Sequence, residues 1–194
     1  VGENAAIIAT GMRGKVYVVD KSEKRLKELQ KQFGDKIIPT QSDKVDLNKL
    51  ISECDLLIGG VLIPGAEAPK LVTKEMIKSM KRGSVIVDVA IDQGGCVETS
   101  KPTTHANPTY LVDDVVHYCV ANMPGGVPRT STVALNKATL PLLLKLAEQG
   151  YKKTLQENKN YLAGLNVYKG KITYKGVSDA FNLSYSPASV LISD

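Results

Sequence analysis

The sequence predicts an α/β protein built on a doubly wound parallel sheet, followed by a long helix and part of a second domain. Two observations indicate this fold class. Short apolar runs that are rich in β-branched residues alternate with segments of helical periodicity. These runs are apolar at nearly every position, which is typical of parallel strands covered by helices on both faces.

The opening segment, VGENAAIIATGMRGKVYVVD, adds a third observation and indicates a nucleotide-binding unit of the Rossmann type. Residues 4–10 are small and helix-forming, and residues 15–20 predict a strand that ends at Asp20. In such a βαβ unit, a strand and a glycine-rich turn precede the helix. Gly2 therefore corresponds to the last glycine of that turn, and we expect the first strand of the unit to be missing.

The next four elements continue the alternation of helix and strand. Apolar residues at helical spacing predict a helix over 22–33, with Ser22 as its N-cap. A short strand over 37–40, a helix over 46–53 and a buried strand over 56–60 follow. The first part of the chain therefore predicts a sheet of parallel strands with helical crossovers.

The later elements become less regular. Residues 73–80 predict a short helix and residues 84–89 another buried strand. A polar segment rich in turn residues then leads to one more strand near 115–120. A long helix is expected over 131–149, in which Pro141 should produce a kink or a junction between two helices. The residues of this helix that we expect to form a buried stripe are Leu135, Leu140, Leu143, Leu144 and Ala147. The tail predicts short strands around a glycine turn and a small helix.

Composition excludes several classes of protein. The 194 residues are 43% hydrophobic and 23% charged, which is typical of a soluble globular protein. The net charge of +5 is spread along the chain, so no nucleic-acid partner is expected. No apolar run reaches the ~20 residues that span a bilayer, and there is no signal peptide, so we expect a cytoplasmic protein without a membrane partner. The spacing of Cys54, Cys96 and Cys119 predicts neither a disulfide framework nor a metal site.

The candidate binding residues lie where predicted strands end, because ligands of doubly wound sheets bind beyond the carboxyl ends of the strands. Asp20 follows Gly2 at about the spacing of the acid that binds the adenosine ribose hydroxyls. A carboxylate there repels a 2′-phosphate and favours NAD over NADP. The same position also suits an acid that stabilises a helix N-terminus, and Lys21, Lys24 and Arg25 leave NADP open.

Asp92 lies in the sequence AIDQGG, directly after a buried strand. A carboxylate at a strand end, beside glycines, is a candidate for proton transfer or for binding a cationic amine. A turn-forming aspartate without a chemical role fits the position equally well. His105 and His117 are the only histidines, and we expect both to be structural because neither is paired with a nucleophile.

Three longer segments resemble one family. They are VLIPGAEAPKLVTKEM, SVIVDVAIDQGGCVETSKPTTHANPTYLVDDVVHYCVANMPGGVPRTST and GLNVYKGKITYKGV. Together they are similar to the C-terminal half of the L-alanine dehydrogenases over nearly the whole chain. The related module of nicotinamide nucleotide transhydrogenases is the nearest competitor, but VDVAIDQGGC and CVANMPGGVPRT resemble the dehydrogenases more.

The resemblance implies roles for individual residues. Asp92 corresponds to the family's catalytic aspartate, and Asp20 to its acid at the adenosine ribose. We include Gly2 and Arg25 among the residues expected to bind NAD. The full set is Gly2, Asp20, Arg25, Ser42, Val61, Leu62, Val89, Asp92, Asn122 and Met123. In the family, the position of Ser42 lies near the adenine and those of Asn122 and Met123 close over nicotinamide and substrate.

The resemblance also implies an activity and a domain organisation. The family catalyses reversible, NAD-dependent oxidative deamination of L-alanine to pyruvate and ammonia, as homo-oligomers that are commonly hexamers. Residues 1–128 would be a truncated NAD-binding domain, and residues 129–194 a linking helix and the C-terminal part of the substrate domain. The family's substrate-binding arginine and lysine and its acid/base histidine lie in an N-terminal segment without counterpart here, so we expect the chain alone to be inactive. Glu67 also departs from the family, which often has a lysine there.

Two alternatives remain open at the level of sequence. The chain fits a non-catalytic NAD(H)-binding module or a transhydrogenase-type component that passes hydride to a partner. A related amino-acid dehydrogenase, such as a saccharopine-forming enzyme, is disfavoured by the segment from AIDQGG to NMPGG.

Overall fold

The structure is a computed structural model and describes residues 1–193. The chain forms two compact units. The first comprises residues 1–62 and 68–121, and the second comprises residues 63–67 and the chain from Asn122 onward.

The first unit begins with two helices and two parallel strands. They are α1 (Gly2–Gly11), β1 (Val16–Asp20), α2 (Glu23–Phe33) and β2 (Ile37–Gln41). Val16 lies opposite Ile37, and the register continues to Asp20 opposite Gln41. These elements confirm the predicted alternation at the start of the chain.

Local signals set the ends of α2. The hydroxyl of Ser22 accepts a hydrogen bond from the Arg25 N–H at 3.3 Å and caps the first turn. Gly34 follows the helix with φ of 58°, a conformation that glycine adopts without a steric penalty. Leu26 and Leu29 are buried, so the apolar face predicted from the spacing is the one that faces the core.

The second part of the first unit holds a four-stranded sheet. Its elements are α3 (Leu47–Glu53), β3 (Leu56–Gly59), α4 (Lys74–Lys78), β4 (Val85–Asp88), β5 (Thr109–Val112) and β6 (Val115–Tyr118). The strand order is β3-β4-β6-β5, in which β3, β4 and β6 are parallel. Side chains of Ile51, Ile77, Ile86, Val97 and Val115 form the centre of the core beneath it.

Strand β5 was not predicted. It forms a hairpin with β6 and is antiparallel to it. Asp113 and Asp114 make the turn with φ of 50° and 61°, the positive values of a two-residue hairpin turn that matches the twist of the strands. The alternating TYLV run before this Asp-Asp pair was the available signal.

The parallel strands lie in two separate sections. Strands β1 and β2 form one section and β3 is the outer strand of the other. Among residues 1–193, neither β1 nor β3 pairs with a further strand on its remaining side. Large apolar side chains on both strands are exposed, among them Val19, Leu56 and Ile58.

The second unit is mainly helical. Its elements are α5 (Pro128–Gln149), α6 (Tyr151–Glu157), α7 (Lys159–Ala163), β7 (Val167–Tyr168), β8 (Lys171–Ile172), α8 (Lys175–Phe181) and α9 (Ala188–Ser193). Strands β7 and β8 form the expected short pair around Gly170. Among the described residues, no helix combines the length and apolar content required to span a bilayer.

The prediction of a buried stripe on α5 is wrong. No residue of this helix is buried, and Leu135, Leu140, Leu143 and Leu144 are 50–64% exposed. Ala147 is exposed as well. The physical reason is that no element of the described chain packs over these side chains. The helix also continues through Pro141, so the expected junction between two helices is not present.

Candidate functional site

Asp20 lies at the carboxyl end of β1, as predicted. One of its carboxylate oxygens, Oδ1, accepts a hydrogen bond from the Ser22 N–H at 2.7 Å. The other oxygen has no hydrogen-bond partner within residues 1–193. The Ser42 N–H donates to the Asp20 carbonyl oxygen at 3.1 Å, which places Ser42 beside it at the end of β2. The arrangement holds the Asp20 carboxylate in place and leaves it able to accept further hydrogen bonds.

Arg25 is engaged by two carboxylates. Its guanidinium lies 2.6 Å from Oε2 of Glu3 and 3.0 Å from Oε2 of Glu28. Hydrogen bonds from Gln32 and Arg25 lower the pKa of Glu3, so this carboxylate is ionised at neutral pH. The ion pair links the first turn of α1 to the first turn of α2. Arg25 therefore connects the two helices, and its positive charge is already neutralised by the two glutamates.

Gly2 is the first residue of α1, whose N-terminus meets the end of β3. Among the described residues, α1 has no side-chain cap at this end. A methyl group on Gly60 would lie 3.0 Å from Cγ1 of Val1 and 3.6 Å from the Gly2 nitrogen. The glycine that follows β3 therefore lies against the N-terminus of α1. A helix N-terminus presents N–H groups and a partial positive charge, which favour an anion such as a phosphate.

Asp92 is exposed at the end of β4. Residues Val89–Gln93 form a short 3₁₀ helix directly after the strand, with Val89 half-buried at its start. Since β3 and β4 are parallel neighbours with Gly59 opposite Asp88, this turn lies at the same edge as Gly60. That Asp92 lies near the N-terminus of α1 stays a prediction, based on the shared edge of parallel strands.

A buried carboxylate, for which sequence reasoning predicted no role, supports this turn. Asp88 is fully buried, and its Oδ2 accepts hydrogen bonds from the N–H groups of Cys96 and Val97 at 2.9 and 3.1 Å. The Ser100 hydroxyl donates to the same oxygen at 2.7 Å, and the Ala90 N–H donates to Oδ1 at 3.1 Å. An acid inside the apolar run SVIVDVA was the available signal, because a buried carboxylate requires several donors.

The thiol of Cys96, which packs behind the 3₁₀ turn after β4, is not reactive. Burial and the neighbouring Asp88 carboxylate raise the pKa of Cys96 to about 12, so the thiol stays protonated at neutral pH. A methyl group on Gly59 would lie 2.4 Å from its sulfur atom. Only glycine therefore fits at the end of β3 without displacing Cys96.

The remaining predicted residues lie in different parts of the chain. Val61 packs against the core of the first unit, and Leu62 is 70% exposed. Asn122 and Met123 belong to the second unit. Asn122 has φ of 55° and ψ of 53° and precedes the 3₁₀ turn Met123–Gly126.

The first turn of α1, the end of β1 at Asp20 and the end of β3 at Gly60 lie at one edge of the first unit. The Glu3–Arg25 ion pair connects α1 to the start of α2, just beyond Asp20, and the Gly60–Val1 approach connects α1 to β3. The ends of both sheet sections therefore meet at the first turn of α1.

A cavity of about 370 Å³ lies elsewhere, at the amino ends of β1 and β2, where Arg13 and Lys36 are among its lining residues.

His117 has a structural environment, as the sequence predicts. It is fully buried, with Nδ1 3.0 Å from the Val115 carbonyl oxygen and Nε2 2.7 Å from the Thr99 hydroxyl. Because the carbonyl only accepts, Nδ1 carries the proton and Nε2 accepts from Thr99. Burial lowers the pKa of His117, so the ring is neutral.

Comparisons with known proteins agree on one family. The family model described as "Alanine dehydrogenase/PNT, C-terminal domain" matches residues 1–175. The alanine dehydrogenase of Halomonas elongata is 56% identical over 192 residues, which are 99% of this chain and 52% of that protein. Alanine dehydrogenase 2 of Staphylococcus aureus is 53% identical over 185 residues, 95% of this chain and 50% of that protein. The chain thus spans about half the length of these curated relatives.

Solved structures support the fold. An L-alanine dehydrogenase superposes with a TM-score of 0.77 at 46% identity, covering 92% of this chain and 49% of that one. The transhydrogenase from Sinorhizobium meliloti superposes with a TM-score of 0.67 at 23% identity, covering 90% and 46% of the two chains. The second likeness shows the fold alone.

Proposed function

Because the chain belongs to the alanine dehydrogenase/PNT C-terminal domain family, we propose that it forms the NAD-binding half of an NAD-dependent alanine dehydrogenase. The observation that supports this proposal most is that the N-terminus of α1 and the carboxyl ends of β1 and β3 lie at one edge of the first unit. There the N-terminus of α1, without a side-chain cap among residues 1–193, lies against Gly60.

The residues at this edge fit the parts of a dinucleotide. The N–H groups of the first turn of α1, starting at Gly2, suit the pyrophosphate. The available oxygen of Asp20 suits the adenosine ribose hydroxyls, with Ser42 beside it toward the adenine. Val61 and Leu62 continue from β3 along the path of the dinucleotide, and Val89 borders the nicotinamide ribose.

The charges at the adenosine end support NAD over NADP. The carboxylate of Asp20 would lie next to a 2′-phosphate and repel it. Arg25, one of the three cations near Asp20 in the sequence that could neutralise that phosphate, already pairs with Glu3 and Glu28. Arg25 contributes to the site by fixing α2 against α1 rather than by binding a phosphate.

The proposed reaction is reversible oxidative deamination. L-Alanine, NAD⁺ and water give pyruvate, ammonia in its ammonium form, NADH and a proton; when bound, NAD supplies the acceptor for the hydride from the alanine Cα. Asp92 is exposed at the end of the 3₁₀ helix, and its carboxylate would exchange protons with the amine and with the added water. For Asn122 and Met123, the role of closing over nicotinamide and substrate stays an implication of the family resemblance.

The domain roles and the oligomeric state belong to the same proposal. Residues 1–128 would bind the nucleotide, and residues 129–194 would link to and complete the substrate domain.

Helix α5 exposes leucines along its length. Because exposed apolar patches of this kind mark interaction surfaces and most soluble oligomers consist of identical subunits, we propose that a second copy of the chain covers α5.

Isothermal titration calorimetry of the 194-residue chain with NADH, NADPH and ADP tests the proposal. We expect NADH to bind and NADPH to bind more weakly, and absence of NADH binding would refute the proposed function. Binding without alanine turnover in a longer protein that contains this chain would instead favour a non-catalytic NAD(H)-binding module or a transhydrogenase-type component.

A further inference from the structure

The turn that carries Asp92 continues into a loop of unusual backbone conformation. Gly94 and Gly95 follow the 3₁₀ helix with φ of 88° and 78°. The N–H groups of both glycines donate back to the carbonyl oxygens of Ile91 and Ala90. The glycine carbonyl groups then remain as acceptors at the end of the turn, where the helix itself offers no donor.

Lys70 supplies donors to these carbonyl groups. Its Nζ donates to the carbonyl oxygens of both Gly94 and Gly95, the latter at 2.8 Å. The segment around Lys70 runs along the same loop, since the Ala68 N–H donates to the Gln93 carbonyl oxygen at 2.8 Å. The ammonium group therefore reaches across from a neighbouring segment to the residues directly after Asp92 and Gln93.

Asp88 supplies the opposite charge on the inner side of the same loop. Its carboxylate accepts from the N–H groups of Ala90, Cys96 and Val97. One buried anion thus binds N–H groups of the loop, and one exposed cation binds its carbonyl groups. Hydrogen bonds to charged groups are stronger than neutral ones, so the two side chains add to the restraint that the backbone hydrogen bonds place on the loop.

We propose that Lys70 is a positioning residue for Asp92 and for the nicotinamide half of the nucleotide. It acts through the Gly94–Gly95 carbonyl groups, with Asp88 holding the inner side of the loop. The inference rests on the proposed function, because the loop matters only if NAD binds at this edge. The effect of Lys70 is confined to the end of the site at β4 and does not extend to Asp20.

The difference between the two ends of the site provides the test. NADH contacts both ends, whereas ADP contacts only the end at Asp20 and α1. We expect Lys70→Met to weaken NADH binding about tenfold, the factor that corresponds to losing one charged hydrogen bond, and to leave ADP binding unchanged. Lys70→Arg, which keeps the charge and the donors, should restore NADH binding. Lys78→Met, which removes an exposed charge from α4 and has no hydrogen bond or ion pair within the described residues, is the matched control.

Hydrogen exchange of the ligand-free chain gives an independent readout. Amides 94–97 are all hydrogen-bonded, and we expect Lys70→Met to accelerate their exchange while amides of β1 keep their rates. Equal losses of NADH and ADP binding, or unchanged exchange at 94–97, would overturn the inference. If the wild-type chain binds no NADH at all, the proposed function fails instead, and the exchange data still decide whether Lys70 holds the loop.

Discussion

The Nε2 atom of His117, a fully buried residue, lies 2.7 Å from the hydroxyl of Thr99, and its imidazole stacks on the ring of Tyr110. The Asp88 carboxylate favours the protonated ring electrostatically, but burial outweighs it and lowers the pKa of His117. The folded chain therefore holds this histidine in its neutral form.

The first prediction is a loss of stability in mild acid. Because the pKa of His117 is lower in the folded chain than in the unfolded chain, the unfolded state binds the extra proton first. The contribution to stability is complete above the unfolded pKa of about 6.5 and falls as the pH decreases below it, by at most about 1.4 kcal/mol per pH unit. Urea denaturation across this range measures the slope. His117→Gln should remove this part of it, whereas His105→Gln should retain it; an identical slope in both variants would contradict the prediction.

The second prediction concerns nucleotide selectivity. Asp20→Asn removes the charge that we propose binds the ribose hydroxyls, so NADH should bind about tenfold more weakly, in line with the loss of a charged hydrogen bond. NADPH should lose less, because the repulsion of its 2′-phosphate is removed as well. Calorimetry with both nucleotides measures the ratio. Asp35→Asn, near the opposite ends of the strands, is the control, and an unchanged ratio in Asp20→Asn would count against the assignment.

The third prediction concerns thiol chemistry. The pKa of Cys96 is raised to about 12 by burial and by Asp88, so iodoacetamide should not modify it in the folded chain at neutral pH. In concentrated urea, Cys96 should react as an ordinary cysteine. Peptide mass spectrometry after timed alkylation measures both rates. Rapid modification of Cys96 before unfolding would show that the thiol is accessible and contradict the packing around Asp88.

The fourth prediction concerns the close approach of β3 to the loop after β4. Gly59→Ala would place its Cβ 2.4 Å from the Cys96 sulfur, and overpacking of this kind costs about 1–3 kcal/mol. Gly11→Ala, which has open space around the added methyl group, should leave stability unchanged or raise it slightly. Urea denaturation of the two variants gives the comparison. Adding Cys96→Ala to Gly59→Ala should recover part of the loss, and a failure to do so would point to another cause.

The fifth prediction concerns self-association through α5. The chain of 20.9 kDa should elute above its monomer mass if, as we propose, a second copy covers its exposed leucines. Leu140→Glu combined with Leu144→Glu changes one face of the helix, since residues four apart are neighbours. This double variant should be monomeric by light scattering, whereas Gln149→Glu, an exposed position on the other side of the helix, should not change the mass. A monomeric wild-type chain would disprove this part of the proposal.

The sequence predicted the elements with strong local signals. Ser22 and Gly34 marked the ends of α2 because caps act within one turn, and Asp20 marked the end of β1. The hairpin of β5 was missed because its alternating residues are few and follow a long polar segment. The burial of Leu143 was wrongly predicted because helical spacing reports which face is apolar, and not whether another element covers it.

The candidate site residues stay predictions, and those that the sequence suggests come from a rule of topology. Asp20 and Asp92 were proposed because they follow strand ends, and parallel strands bring their carboxyl ends to one edge. The buried role of Asp88 was not predicted, since an acid within an apolar run gives no sign of the donors that the later loop supplies. Lys70 was beyond sequence reasoning because its role depends on two segments lying side by side, which only the folded chain brings together.

The division of the parallel strands into two sections has a consequence for handling the protein. Along β1 and β3, one row of backbone amide and carbonyl groups is left without a strand partner among residues 1–193, and such rows recruit extended segments of other chains. We therefore expect heating or concentration to produce β-rich precipitates from this half of the fold well before the helices of the second unit melt.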